Sequence, residues 1–186
     1  MNRREALQRA GLVLGYAVSA PVLAGVLKGC KAAPELTYKP DFFNPDQAAI
    51  VSEVAEIIIP KTDTPGAKDV GVPGFIDKLV KECYSKEDQE RFLAGLKGFD
   101  EGADDFMDLD HDKQTAYVKK VHDEALAAMK SGASKERPFI LKMKELTLVG
   151  FFTSEPGATQ VLQYEPVPGA YRGCVPLSEV GKTWAT

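Results

Sequence analysis

Between Asn44 and Gly150 the apolar residues of this chain return every three or four positions, and no stretch alternates apolar with polar residues over a strand's length. That period fits the 3.6-residue turn of an α-helix and not the two-residue pleat of a strand. The first segment opens at Asn44-Pro45, an N-cap residue followed by a proline at the first helical position. It carries Ile50, Val54, Ile57 and Ile58 on one face until Pro60 ends it. Pro73 opens the second, where Phe75, Leu79 and Cys83 share a face with Ile76 and Val80; Cys83 is therefore expected to be a buried thiol acting as a small hydrophobe. Ser85 caps a third segment bearing Phe92, Leu93, Leu96 and Phe99. A fourth, Lys113–Lys130, turns Val118, Val121, Ala125 and Met129 inward. Pro138 begins the last, and its Phe139, Ile140, Met143, Leu146, Leu148 and Val149 make it the most apolar and the expected centre. The fold class is accordingly all-α, with about five helices in one small orthogonal or bundle-like domain over residues 44–150. At most a short strand pair fits, around Val161–Tyr164.

Beyond Gly150 the character of the chain changes. Phe151–Leu177 contains four prolines, three glycines and four aromatic residues, and shows no helical period. It is too apolar for a disordered tail. Residues 151–186 are expected to form an ordered, extended C-terminal arm that is not helical. Phe151, Phe152, Tyr164 and Tyr171 suit the core of an interface, because aromatic rings bury large area at small entropic cost. Pro156, Pro166, Pro168 and Pro176 lower the entropy lost on docking. Two readings stay open: the arm packs on a partner, or its aromatics close over the chain's own helices. Cys174 is in the same position, either pairing with another subunit or remaining a free thiol, and a bond to Cys83 is not deducible.

Candidate chemistry is sparse. Lys61–Gly71, KTDTPGAKDVG, has the Thr, Asp, Pro and Gly content of a structured loop, serving a partner or simply joining two helices. Asp108, Asp110 and Asp112 have the alternate spacing of a calcium loop's first ligands, but Lys113 stands at its glycine and Lys119 at its bidentate glutamate. Helix capping and a solvated face account for them better. His111 and His122 do not share a helix face and read as surface or capping residues. Three scattered cysteines, without a Cys-x-x-Cys or Cys-x-x-Cys-His, exclude a zinc ribbon, a c-type haem and a ferredoxin cluster in this chain. With no dinucleotide fingerprint or nucleophile elbow either, neither a catalytic residue nor a bound cofactor is expected.

Residues 1–30 have the layout of an export signal. Arg3, Arg4 and Arg9 precede an uncharged run from Ala10 to Leu27. The pair Arg3-Arg4, with Leu7 three residues on, resembles a twin-arginine signal. The run ends Leu27-Lys28-Gly29-Cys30, similar to a lipobox, with Cys30 the lipidation candidate. Lipidation, release after cleavage and retention as an anchor helix all fit, and each places the body outside the cytoplasm, on the periplasmic side of the cell envelope. Residues 31–43 form a linker kept extended by Pro34 and Pro40. Beyond residue 29 the chain has 19 basic and 26 acidic residues, net −7, which argues against nucleic acid as a partner.

Three features together resemble the gluconate 2-dehydrogenase subunit 3 family: the paired-arginine signal, IIIPKTDTPGAKDVGVPGFID at Ile57–Asp77, and the arm EPGATQVLQYEPVPGAYRGCVPL. The resemblance implies a small non-catalytic subunit beside a large flavoprotein of the glucose–methanol–choline oxidoreductase type. FAD would be in that partner, and haem c in a c-type cytochrome that completes the electron path. It also implies that the twin-arginine translocase exports the folded, flavin-loaded pair on the small subunit's signal. The substrate is not transferable within this family, which accompanies gluconate, polyol and glycoside dehydrogenases. A cell-envelope lipoprotein binding an unrelated partner is the alternative.

Overall fold

Side-chain caps mark the starts of three of the long helices, glycine and proline mark the other two, and the most apolar helix gathers the others. The computed structural model describes residues 36–133, 136–167, 169–170 and 172–185. The export candidates Arg3, Arg4, Leu7 and Cys30 lie outside the described residues.

Helix α1 (Pro45–Ile58) begins with a reciprocal cap: the Asn44 side chain accepts from the Gln47 N–H at 2.8 Å, and the Gln47 side chain accepts from the Asn44 N–H at 3.1 Å. Two of the helix's orphan donors are thereby satisfied. Its middle is buried almost all round, from Ala48 to Ala55, whereas Ile57 and Ile58 stay half-buried. Helix α2 (Val72–Cys83) follows Gly71, which takes the left-handed φ of 78° that starts it. Helix α3 (Lys86–Glu101) is capped by Ser85, whose hydroxyl accepts from the Asp88 N–H at 3.2 Å. Helix α4 (His111–Lys130) is capped in the same way by Asp110, which accepts from the Lys113 N–H at 2.9 Å. Helix α5 (Phe139–Phe152) packs against α1, α2, α3 and α4 and is the centre of the body, in keeping with its apolar composition.

The acidic connection between α3 and α4 does capping work. A short 3-10 turn, Phe106–Asp108, lowers Phe106 into the core. Its backbone is held at both ends: Asp100 accepts from the Phe106 N–H at 2.9 Å, and the Gln114 amide donates to the Phe106 carbonyl at 3.1 Å. The Phe106 ring lies 5.1 Å from Phe99, which lies 5.7 Å from Phe139 at the head of α5. Phe139 in turn meets Phe92 edge-on at 5.2 Å, and Phe92 stacks on Phe43 at 5.8 Å. This chain of rings ties α3, α5 and the entry to α1 together.

Two close crossings use glycines. A Cβ on Gly95 of α3 would sit 2.7 Å from the Cβ of Phe139. A Cβ on Gly150 of α5 would sit 2.7 Å from the Phe75 ring of α2.

Three sequence expectations need correction. Cys83 is exposed, not buried. The buried stripe of α2 runs Val72, Ile76 and Val80, which leads to Tyr84 and not to Cys83; Phe75 and Leu79 flank it half-buried. Met129 is 38% exposed. Helix α4 is about 30 Å long and α5 about 21 Å, so α4 outruns its neighbour. Third, the segment from Phe151 onward starts as helix. Phe151 and Phe152 complete α5, and a single π-type turn, Gly157–Val161, packs back against it. Pro156 is the N-cap residue just ahead of that turn, where the N–H that proline lacks is not needed, and Gly157 is required because a Cβ there would lie 1.9 Å from the Phe151 carbonyl oxygen.

Candidate functional site

Three features stand out around the helical body, two of them carrying motifs singled out by sequence. The first is the loop from Lys61 to Gly71, and it is built from α1. The Glu56 carboxylate accepts from the Lys61 N–H at 3.1 Å and from the Lys68 N–H at 2.8 Å, clamping both limbs. Gly66 lies against the same carboxylate, where a Cβ would come within 2.2 Å of its oxygen. Ala67 is fully buried, and its N–H donates to the Ile59 carbonyl at 2.9 Å. Asp69 accepts from the Gly66 N–H at 3.2 Å and pairs with Lys61 at 3.0 Å, and the hydrogen bond from Lys61 is the main cause of its lowered pKa. Lys68 pairs with Glu53, and His111 Nδ1 lies 3.8 Å from the other Glu53 oxygen. The loop is thus set before any partner arrives, with Lys61, Thr62 and Asp63 exposed.

The second feature is Asp77, which sequence reasoning missed. It lies inside α2 and is 1% exposed. Its carboxylate accepts from three successive backbone N–H groups, those of Asp41 (2.7 Å), Phe42 (3.2 Å) and Phe43 (2.9 Å). The linker ahead of α1 is thereby bound to α2. Tyr38 packs over Gly74 beside this clamp. Burial, and then the Asp77 charge, push its phenol well above the ordinary tyrosine range.

The third is the arm. After the π-type turn the chain leaves the body and returns to pair with itself. The Gln163 N–H donates to the Thr183 carbonyl at 2.8 Å, and the Ala185 N–H donates to the Gln163 carbonyl at 2.8 Å, an isolated parallel bridge between Gln163 and Trp184. The Lys182 ammonium donates to the Gln160 carbonyl at 3.0 Å. A single helical turn, α6 (Leu177–Val180), sits within the closed loop. The stitched base is what the short strand pair expected near Val161–Tyr164 amounts to.

Past Val161, which packs against the core, several of the arm's large apolar side chains are not absorbed by the helices. Val167 is 81% exposed and Leu177 83%, with Tyr164, Val175 and Trp184 also exposed. The residues singled out by sequence separate accordingly. Phe151 is in the core at 2% exposure. Phe152 is half-buried against it, edge-on at 5.3 Å. Tyr164 is exposed, and Tyr171 lies outside the described residues. Cys174 and Cys83 are both free, exposed thiols. Among the described residues no three His, Cys, Asp or Glu side chains come together to hold a metal ion, and no helix is long and apolar enough to cross a membrane.

A family model described as gluconate 2-dehydrogenase subunit 3 matches residues 45–169. The chain belongs to the gluconate 2-dehydrogenase subunit 3 family. No curated protein and no solved structure matches it. The subunit 3 match starts on the first residue of α1 and ends inside the arm loop, so it takes in all five long helices and the clamped Lys61–Gly71 loop. Membership in the subunit 3 family associates the chain with a dehydrogenase complex, as an accessory subunit.

Proposed function

We propose that this chain is the non-catalytic small subunit of an exported, FAD-dependent sugar, sugar-acid or glycoside dehydrogenase, and that the arm loop is its main hold on the catalytic subunit. The observation that carries the reading is the exposed apolar face of a loop that is closed and ordered by its own base. Val167 and Leu177 stand out in solvent on backbone already stitched at Gln163 and Trp184. Burying two such side chains contributes about 1.5–3 kcal/mol each, and a closed loop loses little further entropy on docking.

The flavin belongs to a glucose–methanol–choline-type partner, and haem c to a cytochrome downstream of it; this chain supplies support and not redox chemistry. The paired arginines Arg3 and Arg4 serve the twin-arginine translocase, which carries folded proteins, so flavin insertion precedes export. The complex then works on the periplasmic side of the cell envelope, anchored through the signal or through a lipid on Cys30.

The test is a pull-down of the full chain from its native host, with an absorbance spectrum of the eluate. A large partner with oxidised-flavin bands is expected from the wild type, and about tenfold less of it from Val167→Asp/Leu177→Asp. Equal recovery of the flavoprotein by that variant removes the arm from the interface. A colourless eluate holding this chain alone defeats the subunit reading.

A further inference from the structure

The core leaves two isoleucines half-covered at the end of α1, and they form part of a groove. Ile57 and Ile58 of α1, Val118 of α4 and Ile140 of α5 line a depression of about 240 Å³. Val118 and Ile140 are buried, and the two α1 isoleucines are half-buried. Among the described residues the polar lining comes from α4 and α5: Thr115, Lys119, His122 and Lys144. Among the described residues no carboxylate lines the groove. Two lysines over an apolar floor reverse the character of a chain whose residues past 29 are net −7.

Lys144 is held there. A lysine ammonium has donors only, so its 3.1 Å contact with His122 Nε2 requires that nitrogen to accept. The imidazole proton is then on Nδ1, which donates to Asp123 at 3.2 Å. Asp123 orients the ring, and the ring positions Lys144 beside the groove. Size decides what kind of ligand fits. Pockets for drug-sized molecules run to about 300–1,000 Å³, and this one is smaller. It has room for one aliphatic side chain and the carboxylate next to it.

We propose that the groove receives an aliphatic–acidic step of the catalytic subunit's chain, with a Leu, Ile or Val side chain on the isoleucine floor and an adjacent Asp or Glu paired with Lys119 and Lys144. The assignment rests on the accessory-subunit reading, and charge complementarity selects the occupant: a basic segment would face like charge, and a purely apolar one would desolvate the lysines without a partner.

The experiment uses the full chain in its native host. Lys119→Glu/Lys144→Glu should lower the flavoprotein recovered by about tenfold or more, with the unfolding midpoint unchanged. Lys119→Met/Lys144→Met keeps the alkyl stems, guards against a folding defect in the first variant, and should lower recovery by a smaller factor. A photo-crosslinker, p-benzoylphenylalanine, placed at Thr115 should attach to a partner segment with an aliphatic residue next to an acidic one. Equal recovery by wild type and both lysine variants overturns the groove assignment and leaves the subunit reading standing. Crosslinking to a second copy of this chain, or to a segment lacking an acidic residue, overturns it as well. If the wild type recovers no flavoprotein, the subunit reading itself falls, and the groove assignment with it.

Discussion

Replacing Asp77 by alanine should cost the body a large share of its stability, without touching any apolar contact. The carboxylate is 1% exposed and serves three backbone donors. Alanine leaves all three without it. The Phe43 N–H is buried and bears the desolvation cost of an unsatisfied donor, about 1–3 kcal/mol. Those of Asp41 and Phe42 are part-buried and rehydrate, losing about 1 kcal/mol each. The sum is about 3–5 kcal/mol, against a total of about 5–15 kcal/mol for a domain. For a chain of this size that lowers Tm by about 6–20 °C. Asp77→Asn keeps one acceptor oxygen and turns an amide N–H₂ toward the same donors, so it should fall between wild type and alanine. Circular dichroism through thermal and urea unfolding measures the difference. Hydrogen exchange at Asp41, Phe42 and Phe43 reports the clamp directly. If Asp77→Ala unfolds within about 0.5 kcal/mol of wild type while those three amides exchange faster, the clamp exists but adds no stability, and the reasoning fails.

Gly157→Ala should destabilise by about 3 kcal/mol or more, because its Cβ would meet the Phe151 carbonyl oxygen and the backbone must move; calorimetry compares it with Gly98→Ala, which meets nothing. Gly150→Ala should cost about 1–3 kcal/mol through the Phe75 ring, and Phe75→Leu in the same chain should recover part of it. Stability should fall above about pH 10. Tyr38, Tyr84 and Tyr117 all have raised pKa values, chiefly through burial, so the unfolded chain deprotonates first; the stabilisation is complete below the unfolded value and is lost as pH rises toward the folded ones. Tyr38→Phe should flatten that alkaline slope in urea titrations, and an unchanged slope would exclude Tyr38 as a source.

The helices are legible in sequence because their signals are local. Asn44-Pro45, Ser85 and Pro138 mark starts within one turn, and the apolar period marks the faces. Where sequence misleads, the deciding contact is distant. Cys83 and Tyr84 are neighbours in the chain, and only the placement of Phe92 on α3, 6.4 Å from the Tyr84 ring, shows that the stripe passes through the tyrosine. Asp77 stands in plain view beside Ile76, and an acid on an apolar face is a usable signal, but its partners precede α1. The loop closure at Gln163 and Trp184 has no local signature, because a parallel bridge needs strands that approach from far apart in the chain. Composition indicates that the arm is apolar and ordered, but not which of its rings the body keeps. Phe151 goes inside, and Tyr164 stays out.

Helix α5 is keyed at both ends. At its first residue the Phe139 ring base presses on Gly95, and near its last turn Gly150 receives the Phe75 ring. A projection at one end and a recess at the other fix the helix both along its axis and about it, since a one-residue slip of some 100° would disengage both. The arm leaves from the C-terminal end of this helix. Whatever binds the loop therefore grips a shaft that cannot turn in its housing, and a torque applied at Leu177 is felt by α2 and α3 as well as by the chain that joins them.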